Sequence, residues 1–149
     1  EISRVENLEV LPSLTKLNLS CNRLTSHGDA LAGVSRLVAL TDLDLSGNAI
    51  ASLCALAAAG PSLARLNLAD NDVADTAEAR HLAALPALRD LTLSGNPLCG
   101  RRGYRAAVLA ALPELAVLDG VPIGGAEAIA SRVLASGIAA ECGSGGKGG

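Results

Sequence analysis

The sequence predicts an α/β fold built as a solenoid, in which similar coils stack and a parallel sheet lines the concave side. Two observations support this prediction. An eleven-residue frame, L-x-x-L-x-L-x-x-N-x-L with conservative apolar replacements, occurs four times in 149 residues, and every copy carries asparagine at the same offset. The copies are LTKLNLSCNRL from residue 14, LTDLDLSGNAI from 40, LARLNLADNDV from 63 and LRDLTLSGNPL from 88, and a truncated copy, LAVLDG, begins at 115.

The distance between the frames indicates which kind of solenoid this is. Successive frames start 23 to 27 residues apart, a length typical of leucine-rich repeats, each a short strand followed by a return segment. Apolar and polar residues alternate inside each frame, as a half-buried strand requires. We therefore expect a leucine-rich repeat solenoid with helical or irregular convex returns and a C-terminal cap. Its strands should lie near residues 15–19, 41–45, 64–68 and 89–93.

The first segment, residues 1–13, has an apolar residue at every third position, which is the spacing of a return. We expect it to be the tail end of an incomplete preceding repeat, so that the first strand is an open edge covered by earlier repeats or by a partner. The remaining segments are expected to be four repeats with their returns over 14–114, a capping strand and turn over 115–123, a helix over 126–140 and a flexible tail over 141–149.

The helix over 126–140 places Ile129, Val133, Leu134 and Ile138 on one side at helical spacing. Such an apolar side either packs on the cap or binds a partner, and the spacing alone leaves both interpretations open.

Composition excludes several function classes. Hydrophobic residues make up 50% and charged residues 18% of the chain, with no Phe, Trp or Met and a single Tyr, so leucine, alanine, valine and isoleucine must form the core. A net charge of −3 provides no overall electrostatic attraction to nucleic acid or an anionic membrane. Aromatic side chains, on which nucleic-acid bases stack, make up only 1% of the chain. No apolar run is long enough to span a bilayer. Four singly placed cysteines favour a reducing compartment.

One asparagine per repeat predicts a structural ladder. A buried side-chain amide needs partners for its donors and its acceptor. Stacked repeats can supply backbone groups of the same loop and of the adjacent loop. The ladder residues are Asn22, Asn48, Asn71 and Asn96.

The outward positions of the strands define a candidate partner-binding surface on the concave face. The third slot of the frame gives Lys16, Asp42, Arg65 and Asp90, and the fifth gives Asn18, Asp44, Asn67 and Thr92, with Asp119 in the truncated copy. The signs alternate along the third-slot row, so the surface is either a self-paired, solvated ladder or a polar groove that docks a helix or strand of another protein. Because aromatic anchors are absent, Arg65 and Arg89 are the expected anchors.

A second charged patch is formed by Arg101, Arg102 and Arg105. It could bind an acidic segment such as a tubulin tail, or it could be a solvated loop.

No residue pattern indicates catalysis, a cofactor or a metal. His27 and His81 lie in returns, without a serine, cysteine or paired carboxylate at nucleophile spacing. The motifs G-x-S-x-G, H-E-x-x-H and G-x-G-x-x-G are absent from the sequence. The sequence therefore predicts a non-enzyme with no cofactor, no metal and no small-molecule substrate.

The C-terminal part of the chain is predicted to close the solenoid. Tyr104 is the only large side chain that can cover the last leucine layer, and Arg105 can lie along the surface beside it. Leu118 belongs to the capping strand, and Asp119-Gly120 supplies a turn where another repeat would begin.

Residues 82–123, LAALPALRDLTLSGNPLCGRRGYRAAVLAALPELAVLDGVPI, also carry a family resemblance. The order of Gly-Asn-Pro-Leu, Tyr-Arg and Leu-Asp-Gly resembles the C-terminal cap of intracellular leucine-rich repeat proteins of the SDS-twenty-two-like class. That class includes the leucine-rich light chain of outer-arm dynein, axonemal and ciliary assembly proteins, and the A-prime subunit of a spliceosomal ribonucleoprotein.

The resemblance implies a non-catalytic protein-binding scaffold inside the cell. Its partners would be other proteins of a large complex in the cytoskeleton, namely in the axoneme of a cilium or flagellum. The alternative is a nuclear ribonucleoprotein subunit or a phosphatase-regulatory adaptor. Membrane association and direct nucleic-acid binding are not expected.

Overall fold

The computed structural model describes residues 1–136 and confirms the predicted leucine-rich repeat solenoid. One six-stranded sheet contains the strands in chain order. The first five strands run parallel and the last pairs antiparallel with its neighbour. The strands are β1 (Lys16–Asn18), β2 (Asp42–Asp44), β3 (Arg65–Asn67), β4 (Asp90–Thr92), β5 (Val117–Leu118) and β6 (Val121–Pro122).

The register of the sheet follows the leucine frame. The central leucine of each strand pairs with the central leucine of the next, so that Leu17, Leu43, Leu66 and Leu91 form one row. Burial increases inward along this row, since Leu17 is half-buried whereas Leu91 is fully buried. Each repeat therefore covers the apolar side of the one before it, which no repeat could bury alone.

The returns are 3₁₀ helices that form the convex side: Ala32–Arg36, Cys54–Ala58, Thr76–Ala84 and Pro97–Gly100. Each buries one or two apolar side chains towards the sheet, such as Val34 and Leu56. The returns pack closely because glycine allows backbone to approach backbone. A Cβ built on Gly60 would lie 2.6 Å from the carbonyl oxygen of Leu37.

The repeat asparagines join neighbouring coils through their side-chain amides. Asn71 is buried, and its Nδ2 donates to the carbonyl of Leu68 in its own repeat at 3.1 Å and to that of Leu45 in the preceding repeat at 3.0 Å. Its Oδ1 accepts the backbone N–H of Ile50 at 3.0 Å. The chain bends sharply just before each repeat asparagine. The residue at that bend has a positive, left-handed φ in all four repeats: Cys21, Gly47, Asp70 and Gly95.

A second polar ladder, on the convex side, was not foreseen from the sequence. Ser26 Oγ accepts the backbone N–H groups of Ala51 and Ser52 at 2.7 and 2.6 Å. One repeat further along, a Glu78 carboxylate oxygen accepts the N–H of Leu53 at 2.8 Å and the Ser52 hydroxyl at 2.9 Å. These side chains satisfy backbone N–H groups of Ala51, Ser52 and Leu53, in the segment that leads into the helix Cys54–Ala58.

The cap consists of α1 (Tyr104–Ala111), β5, β6 and α2 (Gly125–Ala135). The Tyr104 hydroxyl donates to Asp119 Oδ2 at 2.7 Å, and Asp119 Oδ1 accepts the N–H groups of Leu93 and Ser94 at 2.7 and 3.0 Å. Burial of the ring, together with this bond to a carboxylate, raises the pKa of Tyr104 above its ordinary value. Asp119 thus joins α1 to the end of β4. The sequence predicted only its part in the turn, not this connecting role.

Helix α2 contacts α1, but not through the apolar side predicted for it. Ile129, Val133 and Leu134 are exposed, whereas Ser131 is buried. An ion pair joins the two helices, with Arg105 Nε 2.6 Å from Glu127 Oε1. Helical spacing indicates which residues share a side, but it does not say which side a short helix turns towards its neighbour. Within the described residues the helix runs from Gly125 to Ala135. The rest of the predicted helix, including Ile138, and the tail 141–149 lie outside the described residues.

Candidate partner-binding groove

The concave face forms a shallow groove of about 410 Å³ across four strands. Third-slot and fifth-slot side chains project from the strands on the side opposite the core, because successive residues of a strand alternate between its two faces. All the residues predicted to form the partner-binding surface line this groove except Arg89 and Asp119. The lining residues are Lys16, Leu17, Asn18, Asp42, Leu43, Asp44, Arg65, Leu66, Asn67, Asp90 and Thr92.

The centre of the groove is internally neutralised. Arg65 Nε lies 2.6 Å from Asp42 Oδ1, and the two residues are direct neighbours in adjacent strands. Asp42 also accepts a hydrogen bond from the Thr41 hydroxyl at 2.6 Å. That hydrogen bond, with the positive charges of Arg65 and Lys16, lowers the pKa of Asp42 below its usual value of 3.8.

The two ends of the groove carry unpaired charges of opposite sign. Lys16 on β1 and Asp90 on β4 form no ion pair within residues 1–136. They stand in the same row, three strand spacings apart, which is about 14 Å at the usual spacing of parallel strands. The groove is therefore polar along its length, positive at the first repeat and negative at the fourth.

The fifth-slot side chains are partly engaged in their own loops. Asn18, Asp44 and Asn67 each accept, through Oδ1, the backbone N–H two residues further on, at 2.9, 2.9 and 3.1 Å. These bonds hold the side chains in fixed positions at the carboxyl ends of the strands. The second oxygen of Asp44 remains available to a partner, because both hydrogen bonds from Ser46 reach Oδ1.

Arg89, predicted as a concave anchor, does not lie in the groove. Its guanidinium donates to the carbonyls of Pro86 and Leu88, at 3.1 and 2.8 Å, on the turn that enters β4. Arg89 holds the second slot of the frame, before the strand begins, so strand alternation does not direct it towards the groove. Asp119, in the fifth slot of the truncated copy, is likewise drawn into the cap by Tyr104 and the end of β4.

The predicted arginine patch is divided. Arg105 pairs with Glu127, and Arg101 Nε donates to the Ala74 carbonyl at 2.6 Å. Arg102 is exposed and forms no ion pair with any residue of the described range 1–136. Of the three, Arg105 is neutralised by a carboxylate, whereas the bond of Arg101 to a carbonyl leaves its charge unopposed.

One serine and one histidine do meet on the convex side, around Glu78. The Ser52 hydroxyl donates to a Glu78 oxygen at 2.9 Å, and His81 Nε2 lies 3.8 Å from the same oxygen. The carboxylate stands between them, so the imidazole has no contact through which to take the serine proton. Within residues 1–136 no cluster of three or more His, Cys, Asp or Glu side chains could hold a metal, and no helix is long and apolar enough to cross a bilayer.

Comparison with known proteins agrees with the repeat architecture. Family models described as leucine rich repeat match residues 38–98 and residues 10–28. The chain is a leucine-rich repeat protein. Leucine-rich repeat-containing protein 51 of Bos taurus is 35% identical to it over 113 residues, which are 76% of this chain and 54% of that protein. The chain thus spans about half the length of the curated relatives it matches.

Two further similarities extend the comparison. Leucine-rich repeat-containing protein 23 of Xenopus tropicalis is 43% identical over 89 residues, which cover 60% of this chain and 25% of that protein. The structure of the Drosophila melanogaster SNF/U2A' complex contains a chain that superposes with a TM-score of 0.73, covering 87% of this chain and 74% of that one. At 24% identity, the superposition shows a shared fold only.

Proposed function

We propose that this leucine-rich repeat protein is a non-catalytic scaffold that binds another protein in its concave groove. The observation behind the proposal is that four adjacent strands present eight polar side chains on one continuous surface. Hydrogen bonds within the strand ends fix several of these side chains before any partner arrives. Such preorganisation reduces the entropy lost on binding.

The groove favours a partner segment that is polar and carries charges of both signs. Lys16 would face a carboxylate, whereas Asp90 and the free oxygen of Asp44 would face a lysine or arginine. Because the groove has no aromatic residue to serve as an anchor, affinity would come from many modest contacts. It would therefore fall as salt screens these contacts.

Charge reversal at the two ends of the groove tests it while both residues of the internal ion pair stay unsubstituted. Lys16→Glu and Asp90→Lys alter its two ends and leave Arg65 and Asp42 in place. We expect each variant to lose most of the protein captured by the wild-type chain from cell extract. Arg89→Glu, one residue from Asp90 but outside the groove, is the matched control and should capture the same proteins as wild type. Equal capture by all variants would remove the groove from the proposal.

We further propose that the assembly is axonemal: the chain would be a structural component of a cilium or flagellum, within the cytoskeleton and alongside dynein. The support is the cap, whose Tyr-Arg and Leu-Asp-Gly elements resemble the SDS-twenty-two-like class, with Tyr104 and Asp119 bonded to each other. The same class contains the dynein leucine-rich light chain and axonemal assembly proteins.

The alternative from the same class is a nuclear ribonucleoprotein subunit or a phosphatase-regulatory adaptor. The proteins that co-purify with the tagged wild-type chain, but not with Lys16→Glu, discriminate between these assignments. Axonemal proteins support the first, and spliceosomal proteins or phosphatase subunits support the alternative. Localisation of the tagged chain to axonemes or to nuclei provides an independent readout.

A further inference from the structure

The charges along the third-slot row of the groove alternate in sign from strand to strand. The row runs across the four parallel strands in the order Lys16, Asp42, Arg65 and Asp90. All four side chains line the same groove. When the row is turned end to end, every positive position meets a negative one. The row is therefore complementary in charge to a reversed copy of itself.

One two-fold axis brings two such rows together in the matching register. The axis runs parallel to the strands and passes between β2 and β3, so that β1 of one copy faces β4 of the other. Lys16 then faces Asp90 of the second copy, and Asp42 faces its Arg65. An axis that runs across the strands would instead place Lys16 opposite Lys16, and like charges in contact oppose association. The charge pattern thus selects a single arrangement of two facing grooves.

The fifth-slot row satisfies the same axis through hydrogen-bonding groups, first between β1 and β4. Asn18 Oδ1 accepts the N–H and the hydroxyl of Ser20, at 2.9 and 2.7 Å. Its Nδ2 and the Thr92 hydroxyl have no hydrogen-bond partner within residues 1–136. The two-fold places this amide donor opposite the hydroxyl of the second copy, which can accept from it.

The inner fifth-slot pair, on β2 and β3, is complementary as well. Both hydrogen bonds from Ser46 reach Asp44 Oδ1, which leaves Oδ2 free to accept. Asn67 Oδ1 accepts the Ala69 N–H at 3.1 Å, and its Nδ2 has no acceptor in the described part of the chain. The axis sets Asp44 Oδ2 opposite this Nδ2 of the second copy. Free donors therefore face free acceptors in both fifth-slot pairs.

The concave shape agrees with the distribution of unpaired charge. Two concave faces brought together meet first at the ends of the row, where Lys16 and Asp90 lie. These are the charges that have no ion-pair partner within residues 1–136. At the centre, where the faces stand furthest apart, Arg65 and Asp42 already neutralise each other at 2.6 Å. The closest contacts thus fall on the charges that need a partner.

We propose that two copies of this chain associate groove to groove about this axis, as an isologous dimer. The inference rests on the proposed function in that both take the groove as a protein-binding surface, and it names a second copy as one occupant. The interface is small and polar and has no aromatic anchor. The dimer is therefore weak and depends on protein concentration. A foreign partner would compete with the second copy for the same side chains.

Sedimentation velocity of the purified full chain, from micromolar to millimolar concentration, tests the dimer. We expect the wild-type chain to show an equilibrium between monomer and dimer. Lys16→Glu alone and Asp90→Lys alone should each weaken association by at least roughly tenfold, because the symmetry places like charges together at both ends of the row. Arg89→Glu, outside the groove, is the matched control and should associate as wild type does.

The deciding sample is an equimolar mixture of the Lys16→Glu and Asp90→Lys variants. In a mixed pair, position 16 of each copy again faces a charge of opposite sign at position 90 of the other. We expect the mixture to recover dimers that neither variant forms alone. Recovery also shows that both variants are folded.

Three results would overturn the inference. They are a wild-type chain that stays monomeric, association that the single substitutions leave unchanged, and a mixture that recovers no dimer. Capture of extract proteins by a chain that stays monomeric would assign the groove to a foreign protein alone, and would leave the proposed function standing. Recovered dimers without any capture from extract would support this inference and contradict the proposed function.

Discussion

The side-chain amide of Asn48 donates to the Leu19 carbonyl, 3.0 Å away, across the boundary between two repeats. The same amide bonds the Leu45 carbonyl at 2.8 Å, and its oxygen accepts the N–H of Leu24. One side chain thus joins the loop of its own repeat to the loop of the preceding repeat. Cohesion between coils depends on these asparagines as well as on leucine burial, because neither the strands nor the returns are long.

Asn48→Ala should destabilise the protein by about 1 to 3 kcal/mol, since several backbone groups lose their partner in a partly buried site. Asn22→Ala is the matched control. Asn22 Nδ2 donates to carbonyls of its own loop and lacks the bond that Asn48 Nδ2 makes to the preceding repeat, so Asn22→Ala should lower the free energy of unfolding by less. Urea melts of the two variants measure both values. Equal losses would mean that the bond across the boundary contributes nothing measurable.

Tyr104→Phe should lower the free energy of unfolding by about 1 to 3 kcal/mol. Asp119 Oδ2 loses the hydroxyl that donates to it, while the ring stays in place. Tyr104→Ala also removes the ring from the last leucine layer and should cost roughly 3 to 5 kcal/mol. Thermal unfolding of both variants separates the two contributions. A Phe variant as stable as wild type would show that Asp119 is held by its backbone bonds alone.

Glu78→Ala should destabilise by about 1 to 3 kcal/mol, because the N–H of Leu53 and the Ser52 hydroxyl lose their acceptor. Glu114→Ala serves as the control. Glu114 forms an exposed ion pair with Arg132 at 3.3 Å, and removing it should change stability by less than about 1 kcal/mol. Comparable losses from the two substitutions would contradict a role for Glu78 in joining the returns.

Asp42 predicts a specific pH dependence of stability. Its pKa in the folded protein is lowered, first by the Thr41 hydroxyl and then by Arg65 and Lys16. Its ionised form therefore stabilises the fold above its ordinary pKa of 3.8, and this contribution is lost as the pH falls through the lowered pKa. We expect Asp42→Asn to melt below wild type at about pH 6 and the gap to narrow by about pH 2.5. A gap that is constant with pH would rule out this linkage.

The strands and the groove were predictable from the sequence because strand alternation is local and repeats in every copy of the frame. The prediction was wrong where a side chain's direction depends on its surroundings. Arg89 stands one slot before β4, and nearby carbonyls draw it away from the groove. In α2, Ser131 is buried while Ile129 is exposed, because the ion pair between Arg105 and Glu127 orients a short helix.

The convex ladder could not be read from the sequence for a different reason. Ser26 bonds the return of the repeat that follows it. Glu78 bonds the return of the repeat that precedes it, and it lies inside a helix, three residues after the N-cap residue Asp75. The returns differ in length, so no fixed offset from the repeat asparagine identifies both partners.

The measurement that tests the central claim most directly is photo-cross-linking from two positions in the full chain. One photoreactive residue replaces Asn67, in the centre of the groove, and the other replaces Arg80, exposed on the convex return. Binding in the concave groove predicts covalent partner adducts from position 67 and none from position 80. Adducts from position 80 alone would place the partner on the convex side and contradict the account.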